Sequence, residues 1–66
     1  MRDLSNSDDV YFEFIAIGHS VKVTAIHAPS GIEVSVVGPA SAARSDLERL
    51  ALQKLLARLN HERGPG

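Results

Sequence analysis

Few residues of this chain could carry chemistry, and its three histidines come first. His19 follows Gly18 in a turn sequence, His27 ends an alternating apolar segment, and His61 comes after the longest helical pattern. Metal-binding histidines recur at fixed spacing on one element, and no two of these share such a spacing. Ser20 is the sequence neighbour of His19, but neighbours at a strand start point in different directions and form no nucleophile–base pair. These are therefore expected to be turn or surface residues, with an interface role as the alternative for His27.

The carboxylates do not form an acid–base pair either. Glu13 and Glu33 fall on strands that a third strand separates, and a glycosidase-type pair also needs a cleft. The chain has no cysteine, which excludes disulfides, thiolate chemistry and cysteine-ligated zinc. We therefore predict that the protein is not an enzyme, with no catalytic residue, no cofactor and no metal site.

Anion binding is the chemistry for which the sequence offers some support. The connector GPASAARS precedes a helix, helix N-termini bind anions, and Arg44 and Arg49 lie there. Asp46 and Glu48 lie among them, whereas the corresponding helix of double-stranded-RNA-binding domains begins with a lysine cluster. The net charge is −1, and nucleic-acid binders usually show a basic excess. Nucleic acid is thus disfavoured as a partner, and a weak nucleic-acid or anion binder using Arg44 and Arg49 is the alternative function.

Three strands are predicted to carry most of these residues. Residues 11–17 and 20–27 alternate in the manner of strands, and Gly18-His19 between them suits a two-residue hairpin. In the next loop, residues 28–31, proline and glycine occupy positions that favour a turn. Residues 32–37 form the third strand, which Gly38-Pro39 is expected to end.

A helix is predicted to complete the fold. In SDLE, Ser45 can serve as the N-cap with Glu48 at position N3, and Ser41 is a second possible cap. An apolar stripe then recurs at every fourth residue: Leu47, Ala51, Leu55 and Leu59. The sequence predicts an α+β fold, a three-stranded antiparallel meander of order 1-2-3 with one C-terminal helix packed on one face. We expect a single domain over residues 10–60, a disordered tail at 1–9 and a flexible tail at 61–66.

The alternation places apolar residues on both faces of this sheet. The hairpin loops bring Phe12, Phe14, Val23 and Val34 to one face, across which the helix is expected to lie. The other face carries a predicted interface: Tyr11, Ile15, Ile17, Ile26 and Val37. Leu50, Leu52 and Leu56 widen the apolar arc of the helix beyond the ~100° that a surface helix needs.

These surplus apolar residues predict an interaction module. Contiguous apolar patches on a soluble protein usually contact something, and the outer edge of strand 1 is long, β-prone and carries one charge. We expect self-association through the helix-free sheet face or the strand 1 edge. The expected partner is a second copy, forming a homodimer, or an unidentified protein.

The sequence also indicates where the chain resides. Its apolar runs are far shorter than the roughly 20 residues of a membrane helix. The N-terminal MRDLSNSDDV is polar and acidic, unlike a signal peptide. A cytoplasmic protein with no membrane contact is therefore expected.

One run resembles a known family. Residues 10–59 carry an "FEF…G.SVKVTAI…G.EVS.VGPA" pattern followed by an "L.RLAL.KL" helix, which is similar to a family of small, functionally uncharacterised bacterial proteins. Some members bear a name that refers to serine hydroxymethyltransferase. However, 66 residues are too few for the large pyridoxal-phosphate fold, and Lys22 lies on an open sheet face without a cofactor pocket. The resemblance implies the fold and no activity.

Overall fold

The computed structural model describes residues 9–62. The elements follow in the order β1 (Val10–Ile17), β2 (Ser20–His27), β3 (Ile32–Pro39) and α1 (Arg44–Glu62). The strands form one antiparallel sheet of order β1-β2-β3, so the predicted α+β meander with a C-terminal helix is confirmed. Within residues 9–62, no helix has the length and apolar character that crossing a membrane requires.

Both hairpin turns follow from their glycines. Gly18 has a φ of 59° and no other residue of its turn has a positive φ, as in a type II′ hairpin, whose twist matches that of the strands. Gly31 has a φ of 76°, and its N–H donates to the carbonyl of His27 at 2.8 Å. These loops fix the predicted register, with Phe14 opposite Val23 and Val23 opposite Val36.

The strand ends differ slightly from the prediction. β1 begins at Val10 rather than Tyr11. β3 continues through Gly38 to Pro39 instead of ending at Val37. Proline is tolerated in a strand where its nitrogen faces away from the neighbouring strand. β3 is an edge strand, and the carbonyl of Ser35 points away from β2, where Lys54 binds it. Pro39 lies four residues further along β3, so its nitrogen also points away from β2 and the condition is met.

The helix starts earlier than its capping sequence predicts. α1 begins at Arg44, which places Ser45 inside the first turn, so the assignment of Ser45 as N-cap is wrong. The carbonyl of Ala43 accepts from the N–H groups of both Asp46 and Leu47, at 3.1 and 3.2 Å. Ala43 therefore takes the N-cap position, and Ser41 lies in the turn before it.

The predicted tails are also corrected where the structure describes them. His61 and Glu62 belong to α1 rather than to a flexible tail. Asp9 is bound to the sheet, because its carbonyl accepts from the N–H of Ala28 at 2.9 Å. The rest of the two predicted tails, residues 1–8 and 63–66, lies outside the described residues.

The core lies between α1 and the half of the sheet formed by β2 and β3. Its buried apolar residues are Val23, Ala25, Val34, Leu47, Ala51 and Leu55. Leu47, Ala51 and Leu55 of the predicted stripe are buried and Leu59 is half-buried, so α1 lies on the predicted face, closest to β3 and β2. Phe12 and Phe14 of β1 also pack against this core, as half-buried residues at its margin.

Candidate interaction surface

The predicted interface residues lie on the face of the sheet opposite α1, here called the open face. Each faces a neighbour across the strands, Tyr11 opposite Ile26 and Ile15 opposite Lys22, which in turn pairs with Val37. Tyr11, Ile17 and Val37 are 57%, 54% and 65% exposed. Ile15 is also exposed, whereas Ile26, in the central strand, is half-buried.

A polar row divides the open face. Glu13 lies opposite Thr24, and Thr24 lies opposite Ser35. The Thr24 and Ser35 hydroxyls share a hydrogen bond of 2.8 Å, and Thr24 is only 6% exposed because its neighbours on the flanking strands shield it. The predicted interface residues are therefore two apolar groups at the ends of this face rather than one continuous patch.

Among residues 9–62, the outer edge of β1, here called the β1 edge, presents backbone groups that pair with no other strand. In an antiparallel pair, successive residues direct their N–H and C=O groups alternately toward and away from the partner strand. The Asp9 carbonyl points toward β2, where it accepts from Ala28. By alternation, Val10, Phe12, Phe14 and Ala16 direct their backbone groups away from the sheet. β1 pairs with β2 at all eight positions from Val10 to Ile17, without a bulge.

The opposite edge of the sheet is protected. The Lys54 ammonium donates to the outward carbonyl of Ser35 at 2.7 Å, and Pro39 lacks an N–H at another outward position of β3. Lysine and proline are two of the devices with which proteins block sheet edges. The two edges of this sheet therefore differ, since β1 contains neither residue.

Beside β1, the helix face of the sheet is hollowed into two shallow depressions. One, of about 360 Å³, lies toward the C-terminal end of α1, and its lining is Asp9, Val10, Phe12, His27, Leu52, Leu56 and Leu59. The other, of about 320 Å³, includes Phe14, Ala16 and Arg44. Both lie beside β1 because α1 lies closest to β3 and β2.

The two arginines of the alternative anion site have partners within the chain. Arg49 forms an ion pair with Asp46 at 2.7 Å. The guanidinium of Arg44 lies over the ring of Phe14, 4.0 Å from its centroid. This is a cation–π contact, and it places the Arg44 guanidinium above β1. Each arginine of the alternative anion site therefore already has a partner within the chain.

The histidines lie apart from one another. His27 Nδ1 and the Ser30 hydroxyl share a hydrogen bond of 2.7 Å, and that hydroxyl accepts from the N–H of Ile32 at 3.1 Å. His27 therefore stabilises the second hairpin loop. His19 is exposed in the first turn, where its carbonyl accepts from Ala40 at 2.8 Å, and His61 is exposed on α1. In residues 9–62, no three histidine or carboxylate side chains come together as metal ligands would.

Sequence reasoning missed the lateral position of the helix and the protection of β3. A partial signal existed for the first, because Leu52 and Leu56 widen the apolar arc of α1 toward the side that faces β1. Lys54 gave no signal, since its long side chain reaches an outward carbonyl on a strand that is distant in sequence.

Comparisons with known proteins give a family and no activity. Neither the curated proteins nor the solved structures contain a match to this chain. A family model described as a domain of unknown function, DUF6898, matches residues 7–62. This span includes the three strands and the helix, so the chain belongs to the DUF6898 family.

Proposed function

We propose that this protein is a non-enzymatic interaction module that self-associates by pairing the β1 edge with a second copy. The observation that carries the proposal is the difference between the two edges of the sheet. β3 has its outward Ser35 carbonyl bound by Lys54, whereas β1 offers a regular strand of eight residues with outward backbone groups. A strand from another molecule satisfies such groups directly, as in β-strand addition.

The open face supports self-association less well than the edge does. Stacking two open faces would remove Glu13, Glu33 and Lys22 from water, and buried charges are costly unless they are paired. Edge pairing leaves these charges exposed. It also places Tyr11, Ile15 and Ile17 next to the β1 side chains of the second copy, so it still covers apolar surface from the predicted interface.

Edge pairing also covers the accessible apolar side chains on the helix face. Phe12 and Phe14 are half-buried residues of β1, and a neighbouring strand would contact both. The β-β-β-α domain is small, and small domains bury a smaller fraction of their surface than large ones and often gain stability by association. These features support a second copy as the partner.

A proline substitution tests the edge. Ala16 is exposed and its N–H points away from β2, so Ala16→Pro removes an edge donor without removing a bond of the β1–β2 ladder. A dimer would lose one hydrogen bond from each copy, about 1–3 kcal/mol in total, and its dissociation constant should rise about 5- to 150-fold. Sedimentation over a hundredfold dilution series measures this change.

Val37→Pro is the matched control. Its N–H is an outward group of β3, so the same substitution alters the protected edge and should leave the β1 contact unchanged. An amide NMR spectrum verifies that both variants are folded. A wild-type protein that keeps its monomer mass of 7.1 kDa at millimolar concentration would refute self-association. If Val37→Pro dissociates the dimer and Ala16→Pro does not, the contact lies at the β3 edge or on the open face, and the proposal is wrong.

A further inference from the structure

We infer that the two copies pair antiparallel with each Phe14 directly opposite Phe14 of the second copy, on the two-fold axis of the dimer. This inference rests on the proposed function and adds the register of the contact. The result would be one continuous sheet of six strands, in which both helices lie on the same face.

The backbone restricts the possible registers. The outward groups belong to Val10, Phe12, Phe14 and Ala16, at every second residue of β1. Outward residues of one copy must pair with outward residues of the other, because only these exchange hydrogen bonds across the contact. A two-fold contact then centres on a residue that lies opposite itself. The two centres that keep most of β1 paired are Glu13 and Phe14.

Charge decides between these two registers. Glu13 is the one charged side chain of β1. Centring the contact on Glu13 would place two carboxylates directly opposite each other, with Cα atoms about 4.5 Å apart at a non-hydrogen-bonded pair, and like charges there are destabilising. Centring it on Phe14 places Glu13 opposite Ile15 of the second copy, so the two carboxylates lie on opposite sides of the axis.

Side-chain sizes and exposure favour the same register. On the open face, Tyr11 falls opposite Ile17 of the second copy, which joins two exposed apolar residues that have no cover in the monomer. On the helix face, Phe12 falls opposite Ala16, a large residue opposite a small one, and the two Phe14 rings become neighbours. Aromatic cross-strand pairs stabilise sheets. This register also brings the two Arg44 guanidinium groups, one over each Phe14 ring, near the axis. Both arginines are exposed, so water weakens the repulsion between them.

Disulfide trapping measures the register without changing Glu13. The chain has no native cysteine, so introduced thiols react only with each other. In the inferred register, position 11 lies opposite position 17 at about 4.5 Å between Cα atoms, within the range of a disulfide. A mixture of Tyr11→Cys and Ile17→Cys chains should therefore form the mixed disulfide under mild oxidation.

A mixture of Tyr11→Cys and Ile15→Cys is the matched control. These positions are opposite only in the register centred on Glu13, and in the inferred register they are two residues out of line, about 7–8 Å apart. We expect the first mixture to form the mixed disulfide at least about tenfold faster than the second, since that spacing exceeds the usual disulfide range.

The outcomes separate the register from the proposed function. If sedimentation finds a dimer and the Tyr11→Cys and Ile15→Cys mixture reacts faster, the register is wrong and edge pairing stands. If there is a dimer and neither mixture reacts, the register is wrong, and Ala16→Pro then decides the proposed function, because a dimer that Ala16→Pro leaves intact does not use the β1 edge. If the wild type is a monomer at millimolar concentration, the proposed function fails first and the register with it.

Discussion

Leu55 and Phe14 both present large apolar side chains to the helix side of the sheet, but their surroundings differ. Leu55 is fully buried, at 0% exposure, within the core beneath α1. Phe14 is half-buried at the core margin, and an arginine side chain covers its ring. The free energy lost on truncation depends on how completely a side chain is enclosed. The residue that matters more to the fold is therefore the smaller of the two.

The first prediction compares truncations at these two positions. Leu55→Ala should lower the free energy of unfolding by about 2–5 kcal/mol, since it leaves a cavity in the core. Phe14→Ala should cost less, about 1–2 kcal/mol, because its ring lies at the margin of the core and is only partly buried. Urea denaturation of dilute, monomeric protein measures both values. A larger loss for Phe14→Ala would place Phe14 inside the core rather than at its margin.

At the scale of elements, the sequence predicts what periodicity and turn chemistry determine. Two even-length loops fixed the strand register, and the i+4 stripe of α1 identified its buried side. Neither pattern contains the lateral position of the helix, which depends on side-chain volumes across the interface. Gly38 shows this most clearly. A Cβ atom there would lie 2.6 Å from Leu47 Cδ2, so the missing side chain lets α1 approach the β3 end of the sheet.

The helix start and the sheet edges also depend on more than local sequence. A capping sequence marks one favourable N-cap without excluding an earlier one, and the hydrogen bonds to Ala43 begin α1 at Arg44. The exposed residues of the open face were readable from alternation. The β1 edge was also identified, but its difference from β3 could not be, because that difference depends on a lysine from α1.

Substitution of Gly38 tests how the helix docks. Gly38→Val should lower the free energy of unfolding by about 1–3 kcal/mol, because its branched side chain would displace Leu47 from the core. Ala16→Val is the control, since Ala16 lies on the same face of the sheet but is an exposed residue of β1. The unfolding free energy of Ala16→Val should differ from that of the wild type by less than about 0.5 kcal/mol. Urea denaturation compares the two variants. Equal stability would show that Leu47 does not depend on the space above Gly38.

For the whole molecule, the distribution of contacts predicts how many copies associate. One sheet edge carries Lys54 and Pro39, and the other has no strand or side chain of residues 9–62 bound to its backbone. A single open edge per copy gives a closed two-fold dimer, whereas two open edges would allow continued growth of the sheet. The polar row of Glu13, Thr24 and Ser35 further separates the apolar parts of the open face. The architecture therefore favours a limited assembly over an extended one.

Salt dependence distinguishes this assembly from the alternative nucleic-acid function. The chain has a net charge of −1, and the inferred contact consists of backbone hydrogen bonds and apolar side chains. Its dissociation constant should therefore change less than about threefold between low and high salt, because few ions are displaced when it forms. Phosphate binding through Arg44 and Arg49 would instead weaken steeply as salt rises, with a slope set by the number of phosphates neutralised. Sedimentation of the protein alone, beside fluorescence anisotropy with a labelled DNA duplex, measures both properties over the same salt series.

We expect a salt-insensitive dimer and no specific DNA binding. A monomer that binds the duplex tightly at low salt and releases it as salt rises would favour the alternative, and Arg44→Ala with Arg49→Ala should then abolish the binding.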